Sequence, residues 1–321
     1  MQITTDEVLA RACAERGEAY WLIDAHAGVD RLCTREVGGV LVGHRGAPLP
    51  VLTEAWQRAV AAGHGDADAV VLASLAVRGC LPWLGLGDAL PWACEGVRFA
   101  PFDAPSPLYG IVPDLAALDE VLSAGLRLVQ LRAKRPLESG ELARATALAL
   151  QHGAQLWVND DHAAVLGDEG GMAGLHLGQE DLAALPAAAV RALRARAATQ
   201  RLGLSSHCPW ELARAAGCAP SYIACGPVNP TTTKDMPWRA QGLDNLAWWV
   251  EASPAPIVAI GGLLDERDVG WAMGAGPAAV CVVRGLQLGR SQLASRVSRL
   301  AGAAQGVTPG FRAPAWPRPA I

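Results

Sequence analysis

The chain has 321 residues, which at roughly 100 to 200 residues per domain predicts about two domains and excludes a lone small module. It is 51% hydrophobic and 18% charged, enough apolar material for a core and too little charge for global disorder. A formal net charge of −4 supplies no molecule-wide positive field for a polyanion, so nucleic-acid binding is not expected and any anion must be held locally.

The first hundred residues read as an accessory N-terminal domain over 1–100. VGGVLVGHRGAP predicts a strand and a turn, and VLTEAWQRAVAAG a helix. Gly63-His64-Gly65-Asp66 then opens a second helix, ADAVVLASLAVRG. The start, MQITTDEVLARACAERGE, is acidic and lacks the charged-then-apolar layout of a signal peptide. The longest apolar stretch, 70–90, is interrupted by Arg78, Gly79, Pro82 and Asp88, so no membrane span is expected. Eight cysteines without a CxxC pair favour free thiols and a reducing, cytoplasmic setting.

Three prolines in RFAPFDAPSP break helix and strand alike and predict a linker at 101–107. From 108 to 305 a short apolar run, a polar or glycine-rich loop and a helical segment recur. The predicted strands are 108–114, 126–132, 155–160, 173–178, 201–206, 221–226, 255–262 and 278–285. Strands alternating with helices in this number predict an α/β fold of the (β/α)8 TIM-barrel type, with an open doubly wound sheet as the alternative. The last stretch, 306–321, carries four prolines and reads as a loose, Pro-rich tail.

In a barrel of this kind the active site lies at the C-terminal strand ends and the loops beyond them. The unusual residues cluster there. The second strand ends in Gln130, Arg132 and Lys134 at alternating positions, which share one side of a strand. The third ends in Asn159 and Asp160, and the fourth runs through His176 to Asp181; two carboxylates at neighbouring strand ends suit a hard cation with oxygen ligands. Asp181 reads equally as a first-turn helix acid, and His176, inside an apolar strand, reads as a packed core histidine. The fifth strand carries Ser205. The sixth opens into GPVNPTTTK, where Thr231, Thr232, Thr233 and Lys234 offer hydroxyls and a cation to a phosphate. The seventh ends in Gly261-Gly262 and the eighth in Val283-Arg284, next to the usual phosphate loops of such barrels. Of 27 basic residues only Lys134 and Lys234 are lysines, and both fall in these loops, where a compact ammonium differs from a planar guanidinium.

In order and spacing, QLRAK, VNDDHA, GLHLGQEDL, LGLSSH, GPVNPTTTK and VAIGG resemble thiamine-phosphate synthase over about 108–290. The resemblance implies that hydroxymethylpyrimidine diphosphate is joined to thiazole phosphate with release of pyrophosphate, assisted by Mg2+. It implies that Gln130, Arg132, Lys134, Asn159, Ser205 and Lys234 hold the pyrimidine diphosphate, with Lys134, Ser205 and Lys234 catalytic. Asp160 and Asp181 are implied as magnesium ligands. Thr231, Thr232, Thr233, Gly261, Gly262, Val283 and Arg284 are implied at the thiazole phosphate. Arg284 departs from the family, which usually has serine there, and the first hundred residues are an addition the family fold does not need. Gly63-His64-Gly65-Asp66 resembles a short segment of ribokinase-like kinases, but a hundred residues cannot build such a kinase, so a remnant or an assembly domain is expected. The rival readings are a thiazole tautomerase-like relative, a non-catalytic regulatory barrel, and a metal hydrolase, which lacks any HxH or HExxH spacing around His162 and His176. The expected partners are small molecules, with no nucleic acid and no membrane; a homo-oligomer is compatible with the sequence.

Overall fold

The computed structural model describes residues 1–168, 170–231 and 238–321. Residues 108 to 286 contain a closed barrel of parallel strands, β6 (Leu108–Val112), β7 (Leu128–Leu131), β8 (Gln155–Asn159), β9 (Gly174–Leu177), β10 (Leu202–Ser206), β11 (Tyr222–Cys225), β12 (Ile257–Ala259) and β13 (Ala279–Val282), in chain order around the ring. The predicted runs and the observed strands coincide, each strand being shorter than its run by one to five residues. The excess residues leave the ladder at the strand ends, and that is where the site residues lie.

Inward-pointing side chains fill the barrel: Tyr109, Ile111, Leu128, Trp157, Tyr222, Ala224, Val258, Ala279 and Cys281 form one buried cluster. Two glycines make room for the largest of them. Trp157 lies opposite Gly174 and Tyr222 opposite Gly203 in the strand register. A Cβ on either glycine would come within 2.4 Å of the facing ring. The pairing of one large and one absent side chain keeps the interior close-packed.

The outer ring comprises α4 (Leu115–Ser123), α5 (Glu141–Gln151), α6 (His162–Gly167), α7 (Gln179–Ala183), α8 (Ala187–Arg196), α9 (Pro209–Gly217), α10 (Gly242–Ala252), α11 (Glu266–Gly274) and α12 (Arg290–Ala304). The helical stretch over 179–196 is divided in two, because Pro186 ends one segment and caps the next. Asp114, Asp161 and Asp265 cap α4, α6 and α11 by accepting backbone N–H groups, so these mouth-side acids serve helix starts.

The N-terminal hundred residues form a five-stranded sheet, β1 (Gln2–Thr4), β2 (Tyr20–Leu22), β3 (Val29–Cys33), β4 (Gly38–Val42) and β5 (Trp83–Leu84), with α1 (Glu7–Glu15), α2 (Leu49–Ala61) and α3 (Asp66–Arg78). The strand at 38–42, α2 and α3 match the sequence expectation. Inside this unit Arg78 pairs with Asp30 at 2.9 Å with both side chains fully buried, and Gly43 leaves the space that the guanidinium occupies.

The sheet packs on the barrel through α9. Every residue of α9 except Arg214 is buried, and a Cβ at Gly217 would lie 2.2 Å from the Leu84 carbonyl oxygen. Asp68 of α3 accepts the Trp210 N–H at 2.9 Å, capping the start of α9 from across the junction. The C-terminal stretch, expected as a loose tail, is tied down. Ala320 is buried and Trp316 partly so, Ala320 accepts the Arg239 N–H at 2.7 Å, and Arg318 exchanges hydrogen bonds with Asn245 and donates to the Gln241 carbonyl. Trp316 also packs against His64, and Pro319 against Gly63. Prolines made the stretch look unstructured because they cannot join a ladder, yet they pack well as extended chain.

Candidate functional site

A cavity of about 780 Å³ opens at the C-terminal ends of the barrel strands. It brings together Gln130, Arg132, Lys134, Asn159, Asp160, Asp181, Ser205, Thr231, Gly261, Gly262, Val283 and Arg284, all named from the sequence. Thr232, Thr233 and Lys234, named with them, lie outside the described residues.

Asp160 has a positive φ of 62°, a conformation that short polar side chains tolerate better than most. Its N–H donates to the His176 carbonyl at 2.8 Å, and the Asn159 amide donates to its carboxylate. Asp181 stands in the first turn of α7 close enough to act on it. Burial, with the Asp181 charge adding, pushes the Asp160 carboxyl up to about 6, while Arg132 pulls the other way. Asp181 is a first-turn acid of α7, and its charge acts on Asp160. Among the described residues there is no cluster of three or more His, Cys, Asp or Glu suited to a metal.

The glycine pair is required by packing. Gly261 has φ of +95° and Gly262 of +70°, and an added Cβ would meet Pro227 at 2.7 Å and Asn229 at 2.6 Å respectively. Asn229 donates its N–H to the Gly261 carbonyl at 3.0 Å and its side-chain amide to the Gly262 carbonyl at 3.3 Å. The loops after β11 and β12 are thereby zipped together beside Thr231.

His176, read from the sequence as a packed core residue, is buried and hydrogen-bonded on both ring nitrogens, to Tyr222 at 2.8 Å and Ser205 at 3.0 Å. It also lines the cavity. Burial lowers it to about 3, so the ring is neutral across the working pH range. Sequence reasoning missed His207, Glu211 and Trp238, which share the cavity wall. His207 Nδ1 lies 2.8 Å from the Glu211 carboxylate, and its ring stacks on Trp238 at 5.4 Å. The His207–Glu211 spacing of four across a helix start was a legible signal; the Trp238 contact was not.

A closed parallel barrel whose mouth gathers arginine, lysine, amides, a serine and two facing carboxylates has the form of an enzyme that acts on small molecules. Residues 108–286 match the thiamine monophosphate synthase family. The chain is 42% identical over 165 residues to a thiamine-phosphate synthase of Rhizobium etli, covering 50% of this chain and 78% of that protein. It is 39% identical over 193 residues to one from Neisseria meningitidis, covering 59% and 90%. It superposes on thiamine phosphate pyrophosphorylase from Pyrococcus furiosus with a TM-score of 0.51 at 23% identity, over 62% of this chain and 96% of the other, a likeness of fold. The chain belongs to the thiamine monophosphate synthase family.

Proposed function

We propose that the cavity joins hydroxymethylpyrimidine diphosphate to thiazole phosphate, giving thiamine phosphate and pyrophosphate. The observation that carries the reading is the convergence of the Asp160–Asp181 pair with Arg132, Lys134, Gln130, Asn159 and Ser205 in one cavity, in a chain of this family. The bond from the pyrimidine methylene to the diphosphate oxygen breaks, and the diphosphate leaves with the electron pair. The lone pair of the thiazole nitrogen then forms the new carbon–nitrogen bond. That nitrogen carries no proton, so no general base is needed. What the reaction needs is stabilisation of charge on the leaving group, which Arg132, Lys134 and Lys234 supply, while Ser205, Gln130 and Asn159 orient the pyrimidine diphosphate. Thr231, Thr232, Thr233, the glycine pair, Val283 and Arg284 form the thiazole phosphate end.

Mg2+ fits the donor set: two facing carboxylates, one of them made hard to ionise by burial and by the other's charge, lack the counter-charge that a divalent cation provides. Asp160 and Asp181 would hold it, with waters and substrate oxygens completing its shell, and bound there it would neutralise leaving-group charge. A tautomerase-like or purely regulatory relative has no use for this carboxylate pair. No described helix is long and apolar enough to cross a membrane, and the eight cysteines are free thiols, which supports work in the cytoplasm. Mass spectrometry of a mixture of purified protein, both substrates and Mg2+ tests the proposal: thiamine phosphate is expected, and its absence rejects the reading.

A further inference from the structure

A hydrogen-bonded chain crosses the buried interior from one wall of the cavity to another. The Gln130 amide donates to the Tyr109 hydroxyl at 3.2 Å. Tyr109 meets the Tyr222 hydroxyl at 3.2 Å, Tyr222 meets His176 Nδ1 at 2.8 Å, and His176 Nε2 meets Ser205 Oγ at 3.0 Å. Gln130, His176 and Ser205 line the cavity, whereas both tyrosines are buried behind it.

With the Gln130 amide nitrogen turned to Tyr109, proton counting gives this chain one direction. A phenol has one proton to give. Tyr109, already receiving a proton from the Gln130 amide, gives its own to Tyr222. Tyr222 gives its own to Nδ1. A neutral imidazole that accepts at Nδ1 carries its proton on Nε2, and this proton goes to Ser205 Oγ. Run the other way, with Ser205 donating to Nε2, the chain ends with the Tyr109 proton facing the Gln130 amide protons, two buried donors with no acceptor, at a cost of about 1–3 kcal/mol.

We infer that Tyr222 and His176 are positioning residues which hold the Ser205 hydroxyl as an acceptor on its inner side, so that its own proton is directed into the cavity. Ser205 therefore acts there as a hydrogen-bond donor, matched to an acceptor atom of a bound substrate. On the proposed function, that atom belongs to the pyrimidine diphosphate. The tautomer does not depend on that reading, because it follows from the interior alone.

The test begins with the unaltered protein. Among its seven histidines, the ring 15N signals of His176, assigned by their loss in His176→Gln, are expected to show the neutral Nε2–H form at pH 7. An Nδ1–H form or an imidazolium overturns the inference without any activity measurement. Tyr222→Phe keeps the ring contacts with Trp157 and Phe102 and removes the proton that fixes the tautomer. The Nε2–H signal should be lost or mixed, and kcat should fall about tenfold or more with a smaller change in KM, the size expected for misdirecting one hydrogen bond to a charged group. Tyr109→Phe leaves the Tyr222 proton in place, so tautomer and kcat (within about threefold) should stay near those of the unaltered protein. A Tyr222→Phe protein with wild-type tautomer and turnover overturns the inference. Absence of thiamine phosphate synthesis together with the Nε2–H tautomer overturns the functional reading and leaves the proton direction standing.

Discussion

Burial raises Asp160 to about 6, with the nearby Asp181 charge adding. Asp160→Asn keeps the shape and removes one charge, so turnover at low Mg2+ should fall by about a hundredfold or more if a cation is held there. The metal-free melting temperature should stay level or rise. Retention of near wild-type turnover in steady-state kinetics would remove Asp160 from a metal site. Arg284 stands where the family usually has serine and lines the cavity beside Gly262. Arg284→Ala should raise KM for thiazole phosphate about tenfold, the loss of one charge-assisted contact, and change KM for the pyrimidine diphosphate much less. Equal effects would place Arg284 elsewhere. At this scale the sequence was informative where polar residues break an apolar strand, as at Gln130, Asp160 and Ser205. It was silent on Tyr109 and Tyr222, whose hydroxyls look like ordinary core aromatics until the barrel closes around them.

Helix α9 shows what an element inherits from its neighbours. It is buried on nearly all sides, between the strands of the barrel and β5, and its first turn is capped by Asp68 from α3. Burial raises the half-buried Asp68 carboxyl to about 6, with the Glu211 charge adding and the Trp210 N–H opposing. A carboxyl raised in the folded state binds a proton that the unfolded chain has lost. The stability it contributes is present below the unfolded value, near 4, and is lost as pH rises through about 6. Asp68→Asn keeps an acceptor for Trp210 and removes the charge. Its melting temperature at pH 7 should exceed wild type by about 2 °C, the gap closing toward pH 4. A variant that melts lower at pH 7 would show that the charge is favourable there. The barrel strands were legible because strands buried on both faces are continuous apolar runs. Strands β1, β2 and β5 span three, three and two residues, too short to display any period, and were missed.

On the scale of the molecule, the sheet, the barrel and the tail form one packed body. All the candidate site residues lie between 130 and 284, which supports residues 108–305 as the unit that carries the chemistry. The fold of that unit leans on the first hundred residues. A fragment of residues 105–321 would lose the Asp68 cap on Trp210 and uncover the Gly217 side of α9 that Leu84 covers. It should be poorly soluble or melt without cooperativity in calorimetry, whereas a stable, fully active fragment would show the N-terminal sheet to be dispensable. The linker and the tail illustrate a limit of composition: prolines mark where ladders stop, and they do not say whether the chain then packs.

The account as a whole rests on one reaction in one cavity. Pyrophosphate release by the full chain, followed continuously by coupled phosphate detection, tests it most directly. Release is expected only when hydroxymethylpyrimidine diphosphate, thiazole phosphate and Mg2+ are all present, in a one-to-one ratio with thiamine phosphate, and it should stop when the metal is chelated. Release at the same rate without thiazole phosphate, or undiminished by chelation, would contradict it.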